Sequence, residues 1–220
     1  MQVTVIDYRA GNLTSVLKAL RHLGAEPIVT DGDLSLIEKA EKIVLPGVGH
    51  FAATERLDST GMTGAIRAAI SRGVPFLGIC VGMQWLLEGS EEAPERPGLG
   101  YFTGQCKRFP EAGEKVPHVG WNQLIPVVDP PRRLFAGIRP SDGGEYAYFT
   151  HSYFVPLSGV HFHPKENLSV REGVAASITQ YIQLFASAIE HKNVFGVQFH
   201  PEKSGEPGLK ILRNFLELSC

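Results

Sequence analysis

One segment of the chain has the spacing of a reactive thiol placed at a sharp turn. A short apolar run ends in Gly78-Ile79-Cys80-Val81-Gly82, and a helix-compatible segment, Met83 to Glu88, follows. Glycines two residues before and after the cysteine would let the strand and the helix approach closely while the cysteine takes a strained conformation. This is the pattern of a nucleophile elbow, in which the N-terminus of the helix favours the thiolate. The alternative is a buried structural cysteine at the end of a core strand.

A cysteine nucleophile needs a base and a group that orients the base, and His200-Pro201-Glu202 could supply both. On an extended segment, residues two apart point to the same side. Glu202 would then hold one ring nitrogen of His200 while the other nitrogen faces the thiol. The alternative for this segment alone is a surface turn.

An acyl substrate also requires hydrogen-bond donors for the oxyanion of its tetrahedral intermediate. The backbone N–H of Val81, directly after the cysteine, is one candidate. The second is expected from Gly47-Val48-Gly49, where glycines permit a peptide to turn its N–H inward or away. Alone, Pro46 to Gly49 is also consistent with a plain turn between a strand and a helix. Together, the three segments favour acyl transfer through a thiol.

The first 90 residues predict the elements that would position these groups, because strands and helices alternate with short connections. This alternation predicts an α/β fold with a doubly wound, mostly parallel sheet and helices on both faces. Ligands bind such sheets at the carboxyl ends of the strands, where the glycine-bearing turns after Leu45 and around Cys80 would be neighbours. The predicted strands are Val3 to Ile6, Glu26 to Thr30 (an edge strand, given Pro27) and Lys42 to Leu45. The predicted helices are one capped by Asn12 and ended by Gly24, and one with the apolar stripe Ala65, Ile66, Ala69 and Ile70, closed by Gly73.

The second half of the chain has a different sequence pattern, because prolines from Pro94 to Pro140 separate short β-type segments. We predict an antiparallel, turn-rich extension there. The alternation of Phe195, Val197 and Phe199 predicts a strand that delivers His200, and a helix closes the chain. Residues 1–220 are expected to form a single domain.

Composition excludes several classes of function. The 220 residues are 43% hydrophobic and 20% charged with a net charge of −2, and no basic stripe indicates a nucleic-acid partner. No apolar run approaches the ~20 residues that span a bilayer, and the N-terminus is not typical of a signal peptide. Three cysteines are an odd and sparse set, which favours a reducing compartment. The expected location is the cytoplasm.

The segments together resemble class I glutamine amidotransferases, the family with a Cys-His-Glu triad. The resemblance rests on Gly78 to Gln84, Pro46 to Gly49, and Gly196 to Glu202. Three further segments are similar to the glutaminase subunits of imidazole glycerol phosphate synthases. These segments are Pro117 to Asn122, Tyr148 to Tyr153, and Lys203-Ser204 leading to Leu212-Arg213-Asn214-Phe215. The resemblance extends from Ile6-Asp7-Tyr8 to the last helix.

The resemblance implies a flavodoxin-like fold and hydrolysis of L-glutamine to glutamate and ammonia through a γ-glutamyl thioester on Cys80. His200 would take the thiol proton, protonate the leaving ammonia and later activate water, while Glu202 orients it. Gln84, Ser152 and Tyr153 match positions that hold glutamine in the family. No cofactor and no metal are implied.

The resemblance also implies a heterodimer with a (β/α)₈-barrel cyclase subunit that makes imidazole glycerol phosphate and AICAR in histidine biosynthesis. Ammonia would pass to that subunit without meeting bulk water, where most of it would become ammonium. Trp121, Tyr148 and Lys203 match positions at this interface. Activity in the family is low until the partner binds its nucleotide ligand, and the Gly47-Val48 peptide is expected to reorient at that point.

Several alternatives stay open on the sequence alone. The chain could serve another triad amidotransferase, act as a γ-glutamyl peptidase without a partner, or be an inactive scaffold. The segment Phe154 to Gly173 is longer than the family's usual form and carries His161 and His163, which would share a face on a strand. The alternatives for this segment are a metal site on the two histidines and a solvated loop, and the loop is expected. His118 and His151 are expected to be supporting or interface groups rather than catalysts.

Overall fold

A computed structural model describes residues 1–11, 13–127, 132–138, 145–157 and 174–218 of the chain. The predicted cap at Asn12, the candidate metal ligands His161 and His163, and Cys220 lie outside these residues.

The described residues contain strands grouped in two sheets, six α-helices and three short 3₁₀ turns. The strands are β1 (Gln2–Ile6), β2 (Glu26–Thr30), β3 (Ile43–Gly47), β4 (Phe76–Cys80), β5 (Gly89–Ser90), β6 (Gln105–Arg108), β7 (His118–Pro126), β8 (Glu145–His151), β9 (Tyr153–Phe154), β10 (Ala175–Gln180), β11 (Leu184–His191) and β12 (Val194–Val197). The helices are α1 (Leu13–His22), α2 (Leu34–Glu38), α3 (Glu55–Ser59), α4 (Met62–Ser71), α5 (Val81–Gln84) and α6 (Gly205–Glu217). The 3₁₀ turns are Phe51–Thr54, Arg133–Phe135 and Pro201–Lys203.

The main sheet has nine strands in the order β2-β1-β3-β4-β12-β11-β10-β7-β8. The first five strands run parallel, and β12 then pairs antiparallel with β11. The central strands β3, β4 and β12 are buried at every residue, as parallel strands covered on both faces must be. The predicted α/β class is confirmed, and β2 has the predicted bounds and edge position.

The order of the parallel strands places the helices on both faces. The chain moves outward from β1 through α1 to β2, and then back across β1 to β3 and β4. Because parallel crossovers are right-handed, this reversal puts α1 on one face and α2 and α4 on the other. It also creates a switch point between β1 and β3, where open α/β sheets bind ligands at their carboxyl ends.

The predicted antiparallel extension is confirmed in the second half of the chain. Strands β11, β10, β7 and β8 continue the sheet with antiparallel pairing, and β5, β6 and β9 form a small separate sheet. Helix α6 buries Ile211, Leu212, Phe215 and Leu216, the face predicted for the closing helix. No helix of the described residues combines the length and the apolar character needed to cross a membrane.

The helix predicted from Met83 to Glu88 is wrong in its extent. Helix α5 begins earlier, at Val81, and ends at Gln84 after a single turn. The carbonyl groups that would continue it accept hydrogen bonds from another segment instead: Leu99 donates to Trp85, and Gly100 to Leu87. These long-range bonds replace the helical ones.

Candidate active site

Cys80 occupies the apex of the turn between β4 and α5. Its φ of 54° lies in the left-handed region, which is uncommon for residues other than glycine, and its surface is only 4% exposed. A methyl group on Gly78 would overlap the carbonyl oxygen of Gly82, and one on Gly82 would overlap the carbonyl oxygen of Leu45. The predicted close approach of strand and helix is therefore confirmed.

A Gly82→Ala substitution is expected to destabilise the protein by about 3 kcal/mol, the upper part of the range for overpacking, because a backbone carbonyl cannot move aside like a flexible side chain. The matched control is Gly64→Ala in the exposed face of α4, where a new methyl group meets no atom within 4 Å. This control is expected to stabilise the protein by about 0.5–1 kcal/mol. Chemical denaturation measures both values, and equal stabilities for the two variants would contradict the predicted overlap.

The topology brings His200 to Cys80. Strand β12 lies beside β4 in parallel register, with Val197 opposite Ile79, so the residues that follow both strands emerge at the same edge. The Nδ1 atom of His200 lies 2.9 Å from Oε1 of Glu202, and their side chains are 1% and 3% exposed. The geometric reason given from the sequence is wrong, however. Glu202 lies in the 3₁₀ turn Pro201–Lys203, so the chain turns at this point and does not stay extended.

The electrostatics of His200 favour a charged imidazole ring. Burial lowers the pKa of His200, but interactions with Cys80 and Glu202 outweigh it and raise this pKa from 6.5 to about 10. Among the described residues, Nε2 of His200 and Oε2 of Glu202 have no hydrogen-bond partner of ordinary geometry. The ring therefore has one nitrogen held by a carboxylate and the other left available beside the sulfur.

Two glutamines that follow these strands bind one another next to the thiol. Nε2 of Gln84 donates to the Tyr153 carbonyl and to Oε1 of Gln198, both at 3.0 Å. Nε2 of Gln198 in turn lies 3.5 Å from the Cys80 sulfur. Sequence analysis singled out Gln84 and Tyr153, which the structure brings together, and missed the role of Gln198. Its alternation with Val197 and Phe199 in the strand pattern was the available signal. The Ser152 carbonyl accepts from the N–H of Phe109 at 3.0 Å.

The candidate oxyanion loop, Gly47-Val48-Gly49, has the N–H of Val48 bound to another part of the protein. The Val48 N–H donates to the Ala10 carbonyl at 3.3 Å, so it is occupied by the turn that follows β1. Gly47, Val48 and His200 line one small pocket at the switch point. Gly49 lies outside this pocket, exposed, with a φ of 118° that favours glycine. Val81 begins α5 and is buried.

Two further residues of the site were missed by sequence analysis. Tyr8 is 2% exposed, and its hydroxyl has no hydrogen-bond partner among the described residues. Burial, reinforced by Cys80 and Glu92, raises the pKa of Tyr8 well above its usual value. Oε2 of Glu92 accepts from the N–H of Phe51 at 2.7 Å, two residues after Gly49. No sequence spacing connects Glu92 to Cys80, so only the fold could identify it.

The residues predicted for a partner interface are adjacent on the surface. Trp121 on β7 pairs in register with Tyr148 on β8, their rings 6.2 Å apart, and Trp121 is 57% exposed. The Lys203 ammonium lies 5.9 Å from the centre of the Tyr148 ring. The N–H of His200 donates to the Tyr148 carbonyl at 2.9 Å, which connects this surface to the turn that carries His200 and Glu202.

His118 and His151 are buried, which favours the supporting role over the interface role among the two that were expected. Within the part of the chain that the structure describes, no three His, Cys, Asp or Glu side chains are grouped as a metal site would require.

Comparisons with known proteins cover nearly the whole chain. The profile of the family "Glutamine amidotransferase class-I" matches residues 4–218. A protein of Moorella thermoacetica named "Imidazole glycerol phosphate synthase subunit HisH" is 46% identical over 217 residues, covering 98% of this chain and 94% of that protein. The protein of the same name from Thermococcus kodakarensis is 45% identical over 98% of this chain and 100% of its own length. A crystal structure of a glutamine amidotransferase superposes with a TM-score of 0.70 at 19% identity, covering 98% of this chain and 97% of that one, which bears on the fold alone.

Proposed function

Because the chain belongs to the class I glutamine amidotransferase family, we propose that it is the glutaminase subunit of an imidazole glycerol phosphate synthase in histidine biosynthesis. It hydrolyses L-glutamine to glutamate and ammonia as one amidotransferase domain over residues 1–220. The observation that carries this proposal is the thiol of Cys80 at a strained turn beside His200, whose ring is held by Glu202. A cytoplasmic location would keep Cys80 reduced.

The chemistry proceeds through a thioester. His200 takes the thiol proton, and the Cys80 sulfur attacks the side-chain carbonyl carbon of glutamine. The imidazolium then returns a proton to the leaving nitrogen as the C–N bond breaks, which releases ammonia and leaves a γ-glutamyl thioester. His200 next removes a proton from water, and the resulting attack releases glutamate and regenerates the thiol. Glu202 orients the His200 ring during both formation and hydrolysis of the thioester.

The oxyanion site is incomplete in the conformation that the structure describes. The N–H of Val81 is one proposed donor, whereas that of Val48 is bound to Ala10. A missing donor costs about 3–4 kcal/mol of transition-state stabilisation, or roughly a thousandfold in rate. Rotation of the Gly47-Val48 peptide, about the backbone bonds of Gly47 and Val48, would complete the site. This peptide is therefore the proposed point of control.

Glutamine is proposed to bind between Gln84 and the backbone of Ser152 and Tyr153. The Gln84 amide uses both N–H groups on protein acceptors, so it offers its oxygen to an N–H donor of the substrate. The Glu92 carboxylate, beside the oxyanion loop, is a second acceptor for the positively charged α-ammonium group. These contacts would favour an amide that carries an α-ammonium group, such as glutamine, over an amide without one.

The partner is proposed to be the barrel-shaped cyclase subunit, docked on Trp121, Tyr148 and Lys203. An exposed tryptophan packed against a tyrosine, with a cation at its edge, has the composition of an interface hot spot. Val119 and Tyr146, 56% and 45% exposed, extend the apolar surface. Docking here would let ammonia leave without meeting water, and the His200–Tyr148 hydrogen bond connects the interface to the catalytic turn.

A glutaminase assay tests the proposal directly. We expect weak glutamate release by the isolated chain and a rise of about a thousandfold when the cyclase and its nucleotide ligand are both added. A Trp121→Ala variant is expected to lose most of this rise because the partner no longer docks, while its basal rate stays unchanged. A rate of glutamate release that does not change when the cyclase and its ligand are added would contradict the synthase assignment. Hydrolysis of γ-glutamyl peptides by the isolated chain would instead indicate a peptidase.

A further inference from the structure

Two buried histidines form a hydrogen-bonded pair behind the proposed glutamine site. His118, the first residue of β7, lies opposite His151, the last residue of β8, and the side chains are 3% and 6% exposed. Nδ1 of His118 lies 3.1 Å from Nε2 of His151. The His118 ring is stacked between Tyr181 and Phe149, at centroid distances of 4.0 and 4.9 Å. Stacking on both sides holds the His118 ring in place.

The hydrogen-bond partners on the outer side of each ring determine which ring nitrogens carry protons. Nδ1 of His151 lies 2.8 Å from the Tyr153 carbonyl, which can only accept, so Nδ1 carries the proton and Nε2 is an acceptor. His118 must then donate from Nδ1. At the other end, Nδ2 of Asn122 donates to the Gln180 carbonyl at 2.9 Å and lies 3.2 Å from Nε2 of His118. Nε2 of His118 must therefore accept. The outer partners of both rings thus require each ring to carry its proton on Nδ1.

Both rings are held neutral, as this assignment requires. Burial lowers the pKa of His118 to about 4. Burial also lowers the pKa of His151, to about 3, with smaller contributions from His118 and His200 and an opposing one from the Tyr153 carbonyl. A proton on Nε2 of His151 would face the N–H of His118 and break the chain.

The Tyr153 carbonyl is shared between this pair and the active site. It accepts from Nδ1 of His151 on one side and from Nε2 of Gln84 on the other. Nε2 of Gln84 donates its second N–H to Oε1 of Gln198, whose own Nε2 lies 3.5 Å from the Cys80 sulfur. A continuous network of hydrogen bonds therefore runs from Asn122 on β7 to the nucleophile, with the Tyr153 carbonyl accepting from both sides.

We propose that His118 and His151, fixed as Nδ1–H tautomers, are positioning residues for substrate recognition. They hold the Tyr153 carbonyl where it compels Gln84 to present its amide oxygen to the substrate. The ligand class is an α-amino acid amide that offers an N–H donor at this point. The inference rests on the proposed glutaminase function and adds to it the groups that set the orientation of Gln84.

Nuclear magnetic resonance of the unsubstituted chain, labelled with ¹⁵N in histidine, tests the tautomers without any assay of activity. Long-range ¹H–¹⁵N spectra at pH 7 are expected to show two neutral rings protonated on Nδ1, which are assigned by their loss in His118→Phe and His151→Asn. A ring protonated on Nε2, or a charged ring, at either position would overturn the proposal. The tautomers are read from the unsubstituted chain, and the substituted proteins serve only to assign the signals.

Steady-state kinetics of the complex with the cyclase test the consequence. His151→Leu removes the donor to Tyr153, whereas His151→Asn keeps an N–H close to the position of Nδ1. We expect the KM for glutamine to rise about tenfold in the leucine variant with kcat nearly unchanged, and to be largely restored in the asparagine variant. Equal KM values in both variants, or a loss in kcat alone, would overturn the positioning role. If the unsubstituted complex hydrolyses no glutamine, the proposed function fails, and the tautomers still decide the hydrogen-bond assignment.

Discussion

A Cys80→Ser variant is expected to lose about ten-thousandfold or more in kcat/KM for glutamate release by the complex with the cyclase. The β4–α5 turn holds this side chain in a strained conformation beside His200, where no other thiol is placed among the described residues. A serine hydroxyl in the same position is a much weaker nucleophile near neutral pH, because it does not ionise there as a thiol can. The loss should therefore appear in the chemical step, with glutamine binding retained.

The matched control is Cys106→Ala. Cys106 is fully buried on β6, and burial raises its pKa far above the usual value, so it stays a protonated and inert thiol. This variant is expected to retain activity within a few-fold of the unsubstituted chain, after correction for the folded fraction. Trapping of a radiolabelled γ-glutamyl adduct after acid quenching adds a second readout. If Cys80→Ser keeps more than about a tenth of the activity, or if Cys106→Ala loses as much, the reaction does not proceed through Cys80.

The elements that carry the site were predictable because their signals are local. Apolar runs such as Ile43 to Leu45, between turn residues, favour strands buried on both faces. The glycines around Cys80 are required because a methyl group added at either one would overlap a backbone carbonyl. Parallel pairing then places the ends of neighbouring strands together. Residues as distant in sequence as Cys80 and His200 could therefore be assigned to one edge from sequence alone.

The local geometry after each strand was less predictable because other segments determine it. Helix α5 stops after one turn since the loop around Leu99 donates to the carbonyl groups of Trp85 and its neighbours. His200 and Glu202 meet because the chain turns, with the His200 carbonyl accepting from Lys203 at 3.0 Å. The pairing was predicted correctly and its backbone conformation was not.

The orientation of polar groups was beyond sequence reasoning altogether. The Val48 N–H is bound by Ala10, which lies in the turn after β1, and the direction of the His118–His151 pair is set by carbonyl groups of Tyr153 and Gln180. A hydrogen-bond direction depends on which acceptor the fold brings near. Residue types and spacing specify the donors available, but not which of them is occupied.

A Glu202→Gln substitution is expected to reduce kcat by about a hundredfold to ten-thousandfold. Glutamine keeps the size of the side chain but removes the charge that, together with Cys80, raises the pKa of His200 to about 10. The amide can also present its NH₂ group to Nδ1 of His200, which would favour the wrong tautomer. Nδ1 would then accept and Nε2 would carry the proton that it must take from the thiol.

The pH dependence of this variant separates orientation from simple destabilisation. A raised folded-state pKa stabilises the protein fully below the ordinary value of 6.5, and this contribution is lost as the pH rises towards about 10. Without the carboxylate, the pKa of His200 should fall, so the alkaline limb of activity and the loss of stability both move to lower pH. Histidine titration by nuclear magnetic resonance and denaturation at pH 6.5 to 10 measure the two shifts. Glu206→Gln, the same change of charge at the exposed start of α6, should alter neither, and an unchanged His200 titration in Glu202→Gln would mean that this carboxylate does not control the base.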